Sequence, residues 1–245
     1  RKPGVEGYCP DESSAAGPKF FEGVLRSGGG TYFDYISFHS YSYYNPNLSA
    51  IESELNVPGW RANGGQVEGK LDYLTELQNE YGIHKPMILS EISMVFDDKE
   101  TYTYADKGEE YEQIKADYLV WLYIRNLARG IVGTTWNSLG GNWRYSGLLE
   151  PDNSPKPAFD AYKVLTTTMH QAEYIRDLNL GPGVLGFEYK NENRVWVLFS
   201  KDGEQKFLDS STWPAFTAMN LFGEQLMPVE GEISFNRPIY IIFSN

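Results

Sequence analysis

Residues Pro86-Met-Ile-Leu-Ser-Glu91 form an apolar run that stops abruptly on a carboxylate. An ionised carboxylate has no cheap place in an apolar layer unless it faces a polar cleft, so packing explains Glu91 poorly. The C-terminal end of a parallel strand is where (β/α) barrels keep their reactive groups. In Phe33-Asp-Tyr-Ile-Ser-Phe-His-Ser-Tyr41, His39 and Tyr41 stand two apart, as do Thr134 and Trp136 in Gly133-Thr-Thr-Trp136. Residues two apart share one face of a strand, so all four can converge with Glu91 at one mouth. A Tyr hydroxyl bonded to the Glu91 carboxylate would orient it and keep it ionised, which suits a carboxylate nucleophile.

Three strand-then-helix units would hold these groups. The first strand spans Tyr32 to Tyr41, and an Asn/Pro/Gly-rich loop from Asn45 to Gly65 leads to a helix over Gln66 to Tyr81. There Val67, Leu71, Leu74 and Tyr81 recur at helical spacing and Gly82 is the stop. The second strand, Pro86 to Ser90, leads to a helix over Glu109 to Arg129. The third, Ile131 to Trp136, leads to a helix over Pro155 to His170, with Ser154 as N-cap. Three βα units in a row predict a parallel sheet. Lys19 to Arg26 reads as the tail of a fourth unit. Beyond Tyr174, short alternating strands at Val184 to Tyr189, Arg194 to Ser200, Ala215 to Asn220 and Glu232 to Phe243 predict a small antiparallel β domain, dividing the chain into 1–173 and 174–245.

With 245 residues and 41% hydrophobic content the chain can bury a full core. Its net charge of -12 repels phosphate backbones, which argues against nucleic acid and anionic membrane as main partners. No apolar stretch approaches the ~20 residues of a membrane span. The lone Cys9 cannot form an internal disulfide, and His39, His84 and His170 lack ligand spacing, so neither a metal nor another cofactor is expected. The opening Arg1-Lys2-Pro3-Gly4 reads as a processing boundary, leaving secreted and cytoplasmic locations both open. Six Trp, 18 Tyr and 13 Phe exceed what a core asks for; they fill core and interfaces or stack on the C–H faces of sugars.

In their order and spacing, these motifs resemble the C-terminal half of a clan A glycoside hydrolase, a retaining glycosidase built on a TIM barrel. The stretch Phe33 to Tyr41 is similar to the sixth strand with its His-x-Tyr ending, Pro86 to Glu91 to the seventh, and Gly133 to Trp136 to the eighth. Gly147-Leu-Leu-Glu-Pro-Asp152 and a Pro-x-Pro-Ala helix start follow. The resemblance implies an α/β plus all-β fold, a partial barrel of strands six to eight followed by a small antiparallel β-sandwich. It implies Glu91 as nucleophile, supported by Tyr41 and His39, and a sugar subsite lined by Trp136. Trp143, Asn137 and Trp60 join Trp136 as candidate substrate-binding residues.

Retaining hydrolysis needs two carboxyl groups about 5–5.5 Å apart. The family places the second in an Asn-Glu pair after strand four, ahead of anything matched here. Asn79-Glu80 falls inside a predicted helix and Asn191-Glu192 in a turn of the β domain, so Glu150 and Asp152 are the in-chain carboxylates able to swing towards Glu91. A full barrel takes about 250 residues. Three strands alone would leave bare edges and an uncovered apolar inner face, so a homo-oligomer or a separate chain supplying the missing half is expected. The functional expectation is a retaining O-glycosidase acting on polysaccharide or oligosaccharide. The alternatives are a non-catalytic carbohydrate-binding subunit and a scaffold whose β domain does the work.

Overall fold

Strand-favouring residues from Ile36 to Tyr43 give way to an Asn/Pro/Ser segment and then to helical spacing, and the backbone follows that change. The computed structural model describes residues 17–57, 59–141 and 143–244, the side chains of 17–19 excepted; Cys9 and the first sixteen residues of the expected 1–173 unit lie outside them. Helix α1 (Gly17–Arg26) precedes strand β1 (Ile36–Tyr43), which begins and ends later than its pattern predicts. Within the expected loop lies a short helix, α2 (Ala50–Leu55), closed by a Ser49–Glu52 capping box. Next come α3 (Gln66–Glu80), β2 (Met87–Val95), α4 (Tyr104–Ala128), β3 (Gly133–Trp136) and α5 (Pro157–Thr168). The Thr103–Asp106 capping box starts α4 five residues ahead of its expected position. Lys156, not Ser154, caps α5, and the Ser154 hydroxyl bonds Asp152 instead.

The parallel sheet runs in the order β1-β2-β3. Ile36, Ser37 and Phe38 pair with Met87, Ile88 and Leu89, but His39 pairs with Glu91, leaving Ser90 as an extra residue. This bulge corrects the expected end of the strand at Ser90, because β2 continues to Val95. Leu89, Ile92 and Met94 are fully buried in one core with α4, on the helix side of the sheet. The opposite side carries Ser37, His39, Ser90, Glu91 and Thr135, with the Ser37 and Ser90 hydroxyls 2.5 Å apart. Tyr41 and Tyr43 share that face, so it is mixed, not the uniformly apolar layer predicted for an open barrel. Nor is the outer edge of β1 bare along its length. Gln66 accepts from the Tyr41 backbone N–H at 3.2 Å, and Lys70 donates to the His39 carbonyl at 2.7 Å.

Helix α4 is buried on most sides, with Tyr111, Tyr118, Leu119, Val120, Leu122 and Ile124 wholly inaccessible. Its burial comes from neighbours on several sides: α4 contacts β2, α2, α5 and β4 (Glu173–Leu178). The rest of the chain forms β5 (Val184–Lys190), β6 (Arg194–Ser200), β7 (Lys206–Asp209), β8 (Phe216–Asn220), β9 (Gln225–Leu226), β10 (Glu232–Phe235) and β11 (Ile239–Phe243). The expected strand Glu232 to Phe243 is therefore two strands broken around Pro238, whose ring removes a ladder donor. One antiparallel sheet runs β4-β5-β6-β11-β8-β9; β7 and β10 make a second. The central strands β5, β6 and β11 are largely buried on both faces. Phe187 and Phe199 meet Trp121 of α4 at 5.9 and 5.3 Å, and Tyr189 donates to the Ile124 carbonyl at 2.5 Å. On the far side Leu198, Ile239, Ile241 and Phe243 pack with Leu208, Ile233 and Phe235 of the small sheet. Arg237, between β10 and β11, locks onto α4 through Asp117 at 2.9 Å and Gln113 at 2.7 Å.

Candidate active site

The bulge at Ser90 turns Glu91 onto the exposed face, where its side chain is 36% accessible. A regular ladder would have set Glu91 beside Ser40 on the helix side. His39 Nδ1 lies 3.4 Å from one Glu91 carboxylate oxygen, and the Asn137 amide nitrogen lies 3.3 Å from the other. The same amide donates to the Tyr41 hydroxyl at 3.0 Å. Tyr41 therefore reaches the carboxylate through Asn137, not by the direct bond expected of it. Trp143 meets the Tyr41 ring edge-on, with centroids 5.2 Å apart. Five expected residues, His39, Tyr41, Glu91, Asn137 and Trp143, thus come together on three different segments.

Three expected residues do not join them. On β3, Thr134 accepts from Asn126 of α4 and Trp136 packs against Tyr118 of α4, so both side chains face the helices. The Trp136 ring is 8% exposed and its indole N–H is spent on the Ser146 carbonyl at 2.9 Å. The convergence expected of Thr134 and Trp136 with Glu91 is corrected accordingly: β3 runs in the opposite parity, and Asn137, one residue on, reaches the site. Trp60 is 2% exposed and lies over Gly69, so it has no open face to offer a sugar.

The loop after β3 is fixed from two sides. Arg144 grips Asp97, just beyond β2, with both Nε and Nη2, and its backbone carbonyl accepts from the Phe96 N–H at 3.0 Å. The Asp97 carboxylate raises the Arg144 pKa above its ordinary range. Beneath the loop, the buried Lys115 ammonium donates to the Tyr145 and Gly147 carbonyls at 2.9 and 2.8 Å and pairs with Glu112 at 2.7 Å. Burial pushes the Lys115 pKa down to about 8 against the opposing pull of Glu112. Lys156 reaches the same Glu112 at 3.1 Å. A buried carboxylate flanked by two ammonium groups ties α4, the loop and the start of α5 into one piece.

The in-chain carboxylates expected as a second catalytic group are engaged elsewhere. Glu150 sits 3.7 Å from Lys156, and Asp152 accepts from Ser154, which lowers its pKa. Among the described residues, no group of three His, Cys, Asp or Glu side chains is placed to hold a metal ion, and no helix is long and apolar enough to cross a membrane.

Three residues beside the site escaped sequence reasoning: Tyr43, Asp97 and Arg144. Tyr43 was within reach, because His39-Ser-Tyr41-Ser-Tyr43 simply extends the same alternation. The Asp97–Arg144 pair, 47 residues apart in the chain, carries no local signal.

No protein-family model matches the sequence, and no curated protein matches it significantly. Solved structures do. A family 39 glycoside hydrolase from the gut symbiont Bacteroides cellulosilyticus WH2 matches over 93% of this chain and 48% of its own, with 16% identity and a TM-score of 0.67. A Paenibacillus polymyxa family 44 xyloglucanase solved with xyloglucan matches over 93% of this chain and 51% of its own, at 7% identity and a TM-score of 0.57. A family 86 β-porphyranase from Bacteroides plebeius matches over 90% and 43%, at 12% identity and a TM-score of 0.51. The chain spans about half the length of the solved structures it matches. Over that half, its fold is similar to that of clan A glycoside hydrolases.

Proposed function

We propose that the chain is part of a retaining O-glycoside hydrolase, with Glu91 as the nucleophile, and that β1, β2 and β3 are strands six to eight of a (β/α) barrel. The observation that carries this reading is the placement of Glu91, turned onto the exposed face and held by His39 and Asn137. A carboxylate so held keeps one lone-pair direction free towards the open side, where an anomeric carbon can approach. In the first step a Glu91 oxygen bonds the anomeric carbon, the bond to the leaving oxygen breaks, and a carboxylic acid on the opposite wall protonates that oxygen. Water, deprotonated by the same acid's conjugate base, then releases the sugar. That second carboxyl would come from polypeptide covering the exposed face of β1–β3: more of the same protein, a separate chain or a second copy. The net charge of -12 favours neutral polysaccharide or oligosaccharide over polyanions.

An aryl 2-fluoro-glycoside or epoxide probe tests the reading: mass spectrometry should find the label on Glu91, and none on Glu91→Gln. A wild-type chain left unlabelled at saturating probe would sink it. A second reading, a carbohydrate-binding subunit without catalysis, draws on the engagement of Glu150 and Asp152 away from Glu91. Loss of a general acid costs about 10²–10⁴-fold, so turnover of activated aryl glycosides without turnover of natural glycans would favour a nucleophile lacking its acid. Binding with neither turnover nor label would favour the subunit.

A further inference from the structure

His39, Tyr41 and Tyr43 follow one another on one face of β1. At about 3.3 Å per residue, the row runs about 13 Å from His39 to Tyr43, and His39 is the end paired with Glu91. The proposed chemistry employs the first two and leaves Tyr43 without a role. Its ring is 43% exposed and lies 5.0 Å from the Arg144 guanidinium. The Trp143 ring, itself 48% exposed and in edge contact with Tyr41, also lies near that guanidinium, at 5.6 Å. Asp97 neutralises the guanidinium and pins it from the end of β2. The result is a surface of two open aromatic rings around a flat, charge-cancelled group, built on a strand and a clamped loop. Open aromatic rings of this size carry a large apolar area for a ligand to cover.

The geometry points to a further carbohydrate subsite, formed by Tyr43, Arg144 and Trp143, that takes the neutral sugar rings next to the reacting one in an oligosaccharide. It rests on the proposed glycosidase reading, since continuity with the Glu91 centre gives the row its direction. Pyranose rings present flat C–H faces that stack on aromatic rings. Because Arg144 is committed to Asp97 and the chain is strongly acidic, a sulfate or uronate would gain no cation from Arg144.

The test titrates the full chain by tryptophan fluorescence with neutral disaccharides and hexasaccharides chosen from a glycan array that also carries sulfated and uronate-bearing oligosaccharides. A neutral hexasaccharide should bind more tightly than the disaccharide of the same linkage. Tyr43→Ala should shrink that advantage by roughly two- to tenfold, the worth of one aromatic contact, while Tyr43→Phe keeps it. The subsite is overturned if the wild-type chain shows no chain-length advantage, if Tyr43→Ala retains it in full, if anionic glycans bind best, or if no glycan on the array binds. Labelling of Glu91 in the same preparation separates the two ideas. A chain-length advantage without a label refutes the glycosidase reading and leaves the subsite standing; a label without the advantage does the reverse.

Discussion

The Asn137 amide nitrogen lies 3.3 Å from a Glu91 carboxylate oxygen while also donating to the Tyr41 hydroxyl at 3.0 Å. One amide thus fixes both the carboxylate and the aromatic ring beside it. Asn137→Ala should lower the rate of Glu91 labelling by a covalent probe by roughly threefold to thirtyfold. That range corresponds to about 0.7–2 kcal/mol, a charged hydrogen bond discounted for a partly exposed site. Labelling at the wild-type rate would show that the contact does not hold the Glu91 carboxylate.

Lys115 supplies a pH signature. Its folded pKa of about 8 lies below the ordinary 10.5, so the folded state releases a proton that the unfolded chain still binds. The buried ammonium therefore costs stability below about pH 8, and that cost is relieved as the pH rises towards 10.5. Relative to Lys115→Met, the wild-type chain should gain unfolding free energy across this window with a slope of at most about 1.4 kcal/mol per pH unit. Denaturant titrations at several pH values that give parallel curves for the two proteins would contradict it.

Glu54 is a second buried partner. It accepts from the Trp121 indole at 3.2 Å and pairs with Arg125 at 2.8 Å, bringing α2 onto α4. Glu54→Ala strands the Arg125 charge and should cost about 3–5 kcal/mol, lessened by the neighbouring Glu68 at 3.4 Å. Urea melts that place the variant within 1 kcal/mol of wild type, roughly the ceiling for a surface pair, would be inconsistent with a buried ion pair.

Gly69 has no room for a methyl group. A Cβ there would sit 2.6 Å from Trp60 Cε3 and 2.9 Å from Asn63 Cβ. Gly69→Ala should lose about 1–3 kcal/mol through overpacking, and pairing it with Trp60→Leu should recover part of the loss. Strict additivity of the two changes would mean that they do not share this contact.

Much of this arrangement was legible before any coordinates. Apolar runs separated by helical periodicity marked three strands and their parallel sense, and period two on His39-Ser-Tyr41 put two side chains on the right face. The same rule misled on β3, because Gly133-Thr-Thr-Trp136 offers threonine to either side and only contacts with α4 decide which one is buried. Ser49-x-x-Glu52 was a readable capping box hidden inside an apparent loop. The extra residue on β2 left no such trace: a polar Ser-Glu pair after an apolar run looks the same whether the strand stops or bulges.

That extra residue puts the Glu91 carboxylate out of phase with the first half of its own strand. A chain lacking Ser90 would pair regularly, Leu89 with Phe38, Glu91 with His39 and Ile92 with Ser40, so the carboxylate and the apolar side chain behind it would both keep their faces. The spare residue is therefore one the ladder can lose, whereas straightening the strand with Ser90 retained would turn Glu91 towards Ser40 and the helices.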